Sequence, residues 1–523
     1  MGSYYLGLDC STQSLSAIVL DFERGKICCE ASVNFEKDLP HYGTRSGVLP
    51  HSDPRVKHAP PLMWVEALMM VLDRLRDAGV PFAEIKALSG SGQQHGSVYL
   101  NKSFESVLSG LADEAVIDQL SGTLSRKTSP IWMDSSTSAE CAEIEAALGG
   151  KRATAALTGS AAFERFTGPQ IRAFCKRHPA AYENTAHIAL VSSFLASILA
   201  GKVAPIDFGD GSGMNLMDIT SGGWSDAALD ATAPRLLFRL PPVVPSSTVV
   251  GLPAPVWVER WGFSAEMRIV AWSGDNPSSL IGTGLIKPGD AAISLGTSDT
   301  YFGVMSGLKT DPEGEGHVFG SPTGGFMSLI CFKNGSLARE AVRDHYGLDW
   351  AGFAKAVHQS EPGNKGAFML PWIEPEIVPK VLTPGLHRIN LDEQDVAANC
   401  RAVVESQAIS MRRHSAWMGI RPERLYVTGG AAVDDEIVQI IADVNQCPVY
   451  RHNVLNSAAL GAAIRAVQAV TGIEWEQLIA TFAPPPLQPA AMPRSELAVR
   501  YADLERAYAR AESECLLNFS SKH

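Results

Sequence analysis

The sequence predicts an α/β protein built from two similar domains, and three observations point there. The chain has 523 residues, too many for one ordinary core. Short apolar runs of strand length alternate with amphipathic stretches of helical period. A strand–turn–strand hairpin opens the chain at residues 4–20, and a second of the same kind opens its later half at 290–305.

Each element follows from local pattern. Residues 4–8 read as a strand, 9–14 as a polar turn, 15–20 as the returning strand and 26–35 as a third, an antiparallel meander. A helix follows, with Leu62, Val65, Leu68, Met69, Leu72 and Leu75 on one face and Gly79 at its end. Residues 85–89 form a short strand before a loop of glycines and serines. The apolar run 188–200 is shorter than the roughly 20 residues of a membrane span and reads as a buried helix. In the later half, 290–295 is a strand, Gly296-Thr297-Ser298-Asp299 a turn and 300–305 the return. Both hairpin tips carry small hydroxyl residues and an aspartate. Pro241, Pro242, Pro245, Pro253 and Pro255 mark a connection, so the domains are expected at 1–264 and 265–523. After the prolines at 484–486 a charged helix over 495–513 closes the chain.

Composition narrows the functional class. A hydrophobic fraction of 46% with 19% charged residues is that of a globular protein rather than a disordered one. The formal net charge of −12 opposes nucleic acid as a partner, because a phosphate backbone needs a basic field. It leaves a nucleotide open, since local backbone donors and a divalent cation hold one. The nine cysteines are scattered, with no C-x-x-C pair, so neither disulfides nor zinc are expected. The N-terminus shows no basic-then-apolar leader, and the expected setting is the cytoplasm, away from membranes.

Phosphate-handling candidates come next. No G-x-x-x-x-G-K-[ST] run is present, so tight turns with exposed N–H groups are the alternative. Three stretches qualify: 9–14, 294–298, and Thr428-Gly429-Gly430-Ala431. In the last, a strand over 424–427 leads into a helix over 434–445, so the glycines sit where a helix N-terminus favours an anion. Any single one of these is an ordinary turn; three in one chain carry weight. Gly274-Asp275-Asn276-Pro277 follows the apolar run 268–272, which puts Asp275 at a strand end facing a crevice. An aspartate there can take the proton of an attacking hydroxyl. It can equally cap a helix that has Pro277 at its first position. The stretch 89–97 offers Gln93, Gln94 and His95 among glycines and serines, the short-range donors and acceptors that sugar hydroxyls require. His95 alone is as easily structural, and Arg165 in Phe163-Glu164-Arg165-Phe166 reads locally as a surface ion-pair residue.

Taken in order, YLGLDCSTQS, LMWVEAL, LSGSGQQHGSVY, IWMDSST, FERFTGPQI, PIDFGDGSGMNL, SGDNPSSL, SLGTSDT, CFKNGSLARE, VTGGAAVDDE and NSAALGAA span residues 4 to about 470 and resemble the FGGY family of carbohydrate kinases. The resemblance implies two actin-like, ribonuclease-H-like domains with the active site in the cleft between them. It implies ATP and Mg²⁺ as cofactors and a sugar as acceptor, D-xylulose first, with ribulose or an alditol as alternatives. By the same resemblance Asp275 is the catalytic base, and Gln94, His95, Arg165, Asp275 and Asn276 contact the sugar. Asp9 places Mg²⁺ through water. Thr12, Gly296 and Thr297 approach the phosphates, while Trp350, Gly429, Gly430, Ala431 and Asp434 surround the adenosine. Two positions depart from the family pattern: Ser16 stands where many members carry Lys or Arg, and Asp434 where Asn is found. A monomer or homodimer is expected. The rival from another class is a non-catalytic sensor of actin-like fold, which needs no acid beside sugar contacts such as His95.

Overall fold

The computed structural model describes residues 2–452 and 454–520, which divide into two compact units. The first gathers the chain up to Ile286 together with 318–326 and 454–485. The second holds Lys287–His317, the chain from Met327 to 452, and the chain from Pro486 onward. The sequence reading places a boundary after Ser264, whereas the compact units part after Ile286. The prolines of 241–264 lie inside the first unit instead of separating domains. Pro255 is the first residue of the helix Pro255–Trp261, whose Val256, Trp257 and Trp261 are buried in the first unit's core.

The first unit is built on one mixed sheet. Its strands β1 (Tyr4–Cys10), β2 (Ser14–Asp21), β3 (Lys26–Asn34), β4 (Ile85–Gly92) and β5 (Arg268–Val270) run in the order β5-β4-β1-β2-β3, with Val249–Gly251 beyond β5. The meander β1-β2-β3 is antiparallel, as the hairpin pattern requires. β4 lies parallel to β1, and β5 parallel to β4. β1 is buried almost throughout, because helices cover both faces, and it reads as a continuous apolar run. β3 is the edge, mostly exposed, and carries Lys26 and Glu30 there. A two-residue strand, β6 (Ser273–Gly274), also pairs with β4 and leads directly into the helix α3 (Asp275–Gly282).

The expected amphipathic helix is α1 (Pro61–Asp77), with Pro61 at its first position. Val65, Leu68, Leu72 and Leu75 are buried as the periodicity predicts, while Met63, Trp64 and Val71 widen the apolar face. The run 188–200 is not one helix. Its first three residues end a strand, Thr185–Leu190, that pairs with Ser97–Asn101, and α2 (Val191–Ala200) starts only afterwards. β-pairing claimed residues whose hydrophobicity alone could not separate strand from helix.

The second unit repeats the sheet plan. Its strands β7 (Ala291–Leu295), β8 (Asp299–Met305), β9 (Phe326–Phe332), β10 (Leu425–Thr428) and β11 (Val449–Arg451) run in the order β9-β8-β7-β10-β11. Both sheets therefore follow third-second-first-fourth-fifth, with the opening hairpin antiparallel and the fourth strand parallel to the first. This is the duplicated actin-like, ribonuclease-H-like arrangement. Helix α4 (Val396–Ser415) packs in this unit's core, and α5 (Asp435–Asn445) follows β10. Among the described residues no helix is long and apolar enough to cross a membrane.

Helix α6 (Ser457–Thr471) belongs to the first unit, where it packs on β1, β4 and α3. It crosses α3 at backbone contact. A Cβ on Gly461 would lie 1.8 Å from the Ser278 carbonyl oxygen, and one on Gly282 1.9 Å from that of Ser457. Gly7 of β1 meets the same helix, its Cβ position 2.0 Å from the Ala459 carbonyl oxygen. Gly461→Ala gains helix propensity yet forces α3 and α6 apart, so a net loss of about 1–3 kcal/mol is expected. Gly307→Ala meets nothing within 4 Å and should leave unfolding unchanged. Thermal or urea unfolding of the two variants measures the difference, and equal stability would refute the crossing as a packing constraint.

Candidate active site

Three parallel strand ends of the first unit carry the acidic residues. In register, Asp9 of β1 lies opposite Ser91 of β4, and Ser91 opposite Ser273 of β6. The parallel strands thus end side by side, the usual place for ligand chemistry in an α/β sheet. Asp275 stands two residues past Ser273 as the first residue of α3. It does not cap the helix. The N-cap is Gly274, no side chain closes the cap, and Pro277 is the third helical residue rather than the first. Asp275 Oδ1 instead accepts from the backbone N–H of Asn276 at 2.9 Å, from Asn276 Nδ2 at 3.2 Å and from the N–H of Gln94 at 3.3 Å.

Gln94 and Asn276 are tied to each other, Asn276 Nδ2 donating to Gln94 Oε1 at 2.8 Å. Gly274 allows this closeness, since a Cβ there would sit 2.3 Å from Gln94 Cγ. Asp9 is buried, accepting from the Ser91 hydroxyl at 2.7 Å and from the Ser11 hydroxyl. Burial raises its carboxyl above the usual range, and the two hydroxyls oppose that rise. The half-buried Asp275 is pushed up to about 7, first by burial and second by the negative charge of Asp9.

His95 sits at φ 71°, a left-handed conformation uncommon outside glycine. Its ring stacks on Phe166 with centroids 4.2 Å apart, and its Nδ1 lies 2.7 Å from the Gly213 carbonyl oxygen. That carbonyl can only accept, so Nδ1 carries the proton and Nε2 is left as an acceptor. Burial, aided by the Arg165 charge, lowers His95 to about 3, which keeps the ring neutral. Arg165 itself lies over the rings of Phe163 and Phe166 at 5.2 and 5.7 Å. It thus has an aromatic seat beside His95.

Thr12 lies in the β1–β2 turn, where its hydroxyl accepts from the Trp132 indole N–H at 2.8 Å. Ser16, on β2, is the register partner of Asp9. Around these residues the structure adds Asp210, which was not singled out by sequence, to the amides of Gln93 and Gln94. Both side-chain polar atoms of Gln93, Nε2 of Gln94 and Oδ1 of Asp210 are buried without a hydrogen-bond partner among the described residues. Buried polar atoms left unmet in this way mark a place for a polar ligand. Nothing local in the sequence distinguishes Asp210 from a turn aspartate, because its burial is decided by segments far away in the chain.

In the second unit the turns sit on a rigid base. Thr297 is exposed and Gly296 half-buried at the tip between β7 and β8. The Gly296 carbonyl accepts from the Ser336 N–H at 2.9 Å. Directly below, buried Asp299 takes a two-pronged contact from Arg339 at 2.8 and 3.0 Å. Gly429 has φ 93° and presses on the end of β7, its Cβ position 2.3 Å from the Leu295 carbonyl oxygen. Hence Gly296 and Gly429 lie on neighbouring strand ends, with Gly429 and Gly430 exposed. Ala431 continues into a single 3-10 turn, Gly430–Val433. Asp434 is the cap of α5, accepting at Oδ1 from the N–H groups of Glu436 and Ile437 at 2.9 and 3.1 Å. Trp350 begins the helix Trp350–Gln359, half of its surface exposed, with Arg343 4.3 Å over its ring and Phe353 beside it.

Comparison with known proteins accounts for this duplicated layout. The model of the N-terminal domain of the FGGY family of carbohydrate kinases matches residues 113–282, and that of its C-terminal domain matches 291–470. The chain belongs to the FGGY family of carbohydrate kinases. Xylulose kinase of Rattus norvegicus is 42% identical to this FGGY chain over 526 aligned residues, covering 98% of the chain and 97% of the rat protein. Xylulose kinase 2 of Arabidopsis thaliana is 43% identical over 489 residues, covering 89% and 87%. The crystal structure of xylulose kinase from Rhodospirillum rubrum superposes with a TM-score of 0.85 at 19% identity, covering 99% of this chain and all of that one. At that identity the likeness shows the two-domain FGGY fold.

The raised carboxyl has a direct test in ligand-free protein. The infrared band of a protonated carboxyl that disappears in Asp275→Asn should titrate near pH 7, where Asp275 is placed. Asp9→Asn removes the like charge and should lower that midpoint. A band titrating in the ordinary aspartate range in the parent protein would contradict the geometry.

Proposed function

We propose that this FGGY kinase transfers the γ-phosphoryl group of ATP to D-xylulose, giving D-xylulose 5-phosphate. The observation that carries it is Asp275: a carboxyl with proton affinity near neutrality, set among amide and imidazole groups that suit sugar hydroxyls. The likeness to xylulose kinases over nearly the whole chain supports the choice of sugar.

In this reading the first unit binds the sugar and the second the nucleotide. Asn276, Gln94, Arg165 and the Nε2 acceptor of His95 hold the hydroxyls. Asp275 takes the proton of the attacking hydroxyl as the new O–P bond forms and the bond between the γ-phosphorus and the bridging oxygen breaks, releasing ADP. The turns at Thr12, Gly296 and Thr297 offer backbone and hydroxyl donors to the phosphates, and Gly429, Gly430, Ala431 and Trp350 flank the adenosine. Asp434 contributes by capping α5, whose N-terminus then faces the nucleotide.

A hard divalent cation suits oxygen donors and retains several waters, and Asp9, fixed by two serine hydroxyls, fits a water-mediated hold on Mg²⁺. Bound there, Mg²⁺ would supply charge neutralisation at the phosphates. The nine free thiols fit a reducing, cytoplasmic setting.

Asp275→Asn keeps the shape and the Oδ1 acceptor, so folding should survive while kcat falls by about 10²–10⁴. A variant with parental melting and parental turnover would end the assignment of Asp275 as base. D-Xylulose should give the highest kcat/KM in a panel of pentuloses and alditols. His95→Ala and Arg165→Ala should weaken sugar use more than ATP binding, because sugar hydroxyls lose their partners. Ribulose or an alditol outperforming xylulose would move the assignment to that acceptor.

A further inference from the structure

Behind Asp275 lies a buried charged group that sequence reading passes over. Arg465, on α6, is 2% exposed and enters between the segments that carry the site. Its Nη2 donates to the Ala271 carbonyl oxygen at 2.7 Å and to that of Ser246 at 3.3 Å. Its Nη1 donates to the Gly90 carbonyl oxygen and to the Ser278 hydroxyl, both at 3.3 Å. Asp207 lies 4.0 Å away and itself accepts from the Ser273 hydroxyl at 2.5 Å and from that of Ser246.

The partners of this guanidinium are not scattered. Gly90 precedes Ser91, the hydroxyl that holds Asp9, and lies on the strand that ends just before Gln94 and His95. Ala271 falls where the strand path breaks between β5 and β6, three residues before Gly274. Its carbonyl takes the Ser89 hydroxyl at 3.0 Å as well as Arg465. Ser278 is in the first turn of α3, three residues after Asp275. The fork therefore grips the chain on both sides of Asp275 and on the strand beside it. Such a planar donor set can bridge several carbonyls at fixed angles, which an ammonium cannot.

We infer that Arg465 is a positioning residue for the phosphoryl-transfer reaction: it fixes the break between β5 and β6 and so sets the direction from which Asp275 meets the acceptor hydroxyl. This rests on the reading of Asp275 as the base. A general base displaced by about 1 Å can lose roughly 10²-fold in rate while substrate contacts made elsewhere persist.

The test compares Arg465→Met, Asp275→Asn and the double variant, with Arg465→Lys standing in should the Met variant not fold. Expected for the folded Arg465 variant is a fall in kcat of about 10- to 100-fold, larger than the rise in sugar KM. In the double variant that loss should vanish into the Asp275→Asn loss, because both act through one group. A purely packing role gives a lower Tm with parental kcat per folded molecule, and that result overturns the inference. So does a double variant in which the two losses multiply. Parental turnover in Asp275→Asn alone defeats the base assignment, and an Arg465 loss that then persists in the double variant shows it acts through something else.

Discussion

Helices α3 and α6 touch backbone to backbone, and the placement of the acidic site depends on that contact. Gly282 and Gly461 leave no room for a side chain on either helix, and Gly7 brings the same helix down onto the central strand. Close approach of this kind locks angle and register together, because sliding by one residue would drive a Cβ into a carbonyl. Asp275 is the first residue of α3, so its position is inherited from the crossing. Arg465 enters from the same helix, one turn beyond Gly461, and can reach four segments because the glycines draw α6 so near the sheet.

Electrostatics in the first unit act in one direction on groups of opposite type. Burial raises Asp275 and Asp9 and lowers His95, in each case favouring the uncharged form. The like charge of Asp9 adds to the effect on Asp275, and the cation of Arg165 adds to that on His95. The neutral His95 ring, with its proton fixed on Nδ1, can read a hydroxyl without competing charge. The second unit manages its charges differently: Asp299 is buried but matched by the two-pronged Arg339, a fixed support beneath the Gly296 turn.

Much of this was legible in the chain. The two hairpins, the meander, the helix from Pro61 and the strand–turn–helix around Gly429 all carry local patterns of period two or 3.6 with glycine or proline at their ends. Gln94, His95, Asp275 and Asn276 could be grouped only through family resemblance, since 180 residues of sequence separate Gln94 from the chain that hydrogen-bonds it. The capping reading of Asp275 failed because Gly274 takes the cap and Pro277 lies deeper in the helix, a shift too small for residue preferences to detect. The run 188–200 failed for a different reason, the pairing of its first residues with a strand some ninety residues earlier. Arg465 gave no signal at all: an arginine in an alanine-rich helix looks like solvent-facing charge until the fold buries it.

The chain leaves the first unit after Ile286 and returns to it at 454–485, and the second unit likewise takes residues from Pro486 onward. Leu478, Ile479 and Phe482 complete one core, and Tyr501 and Tyr508 complete the other. During synthesis, then, neither the cluster of Leu478 and Phe482 nor that of Tyr501 and Tyr508 is complete until almost the whole polypeptide has left the ribosome. At about 5–20 residues per second the early strands wait tens of seconds without the helix that covers them. Cutting the gene at 286 leaves the second unit all of its own segments but separates the first from the apolar residues of 454–485 that pack on its sheet, so this kinase is a single unit of biosynthesis despite its twofold plan.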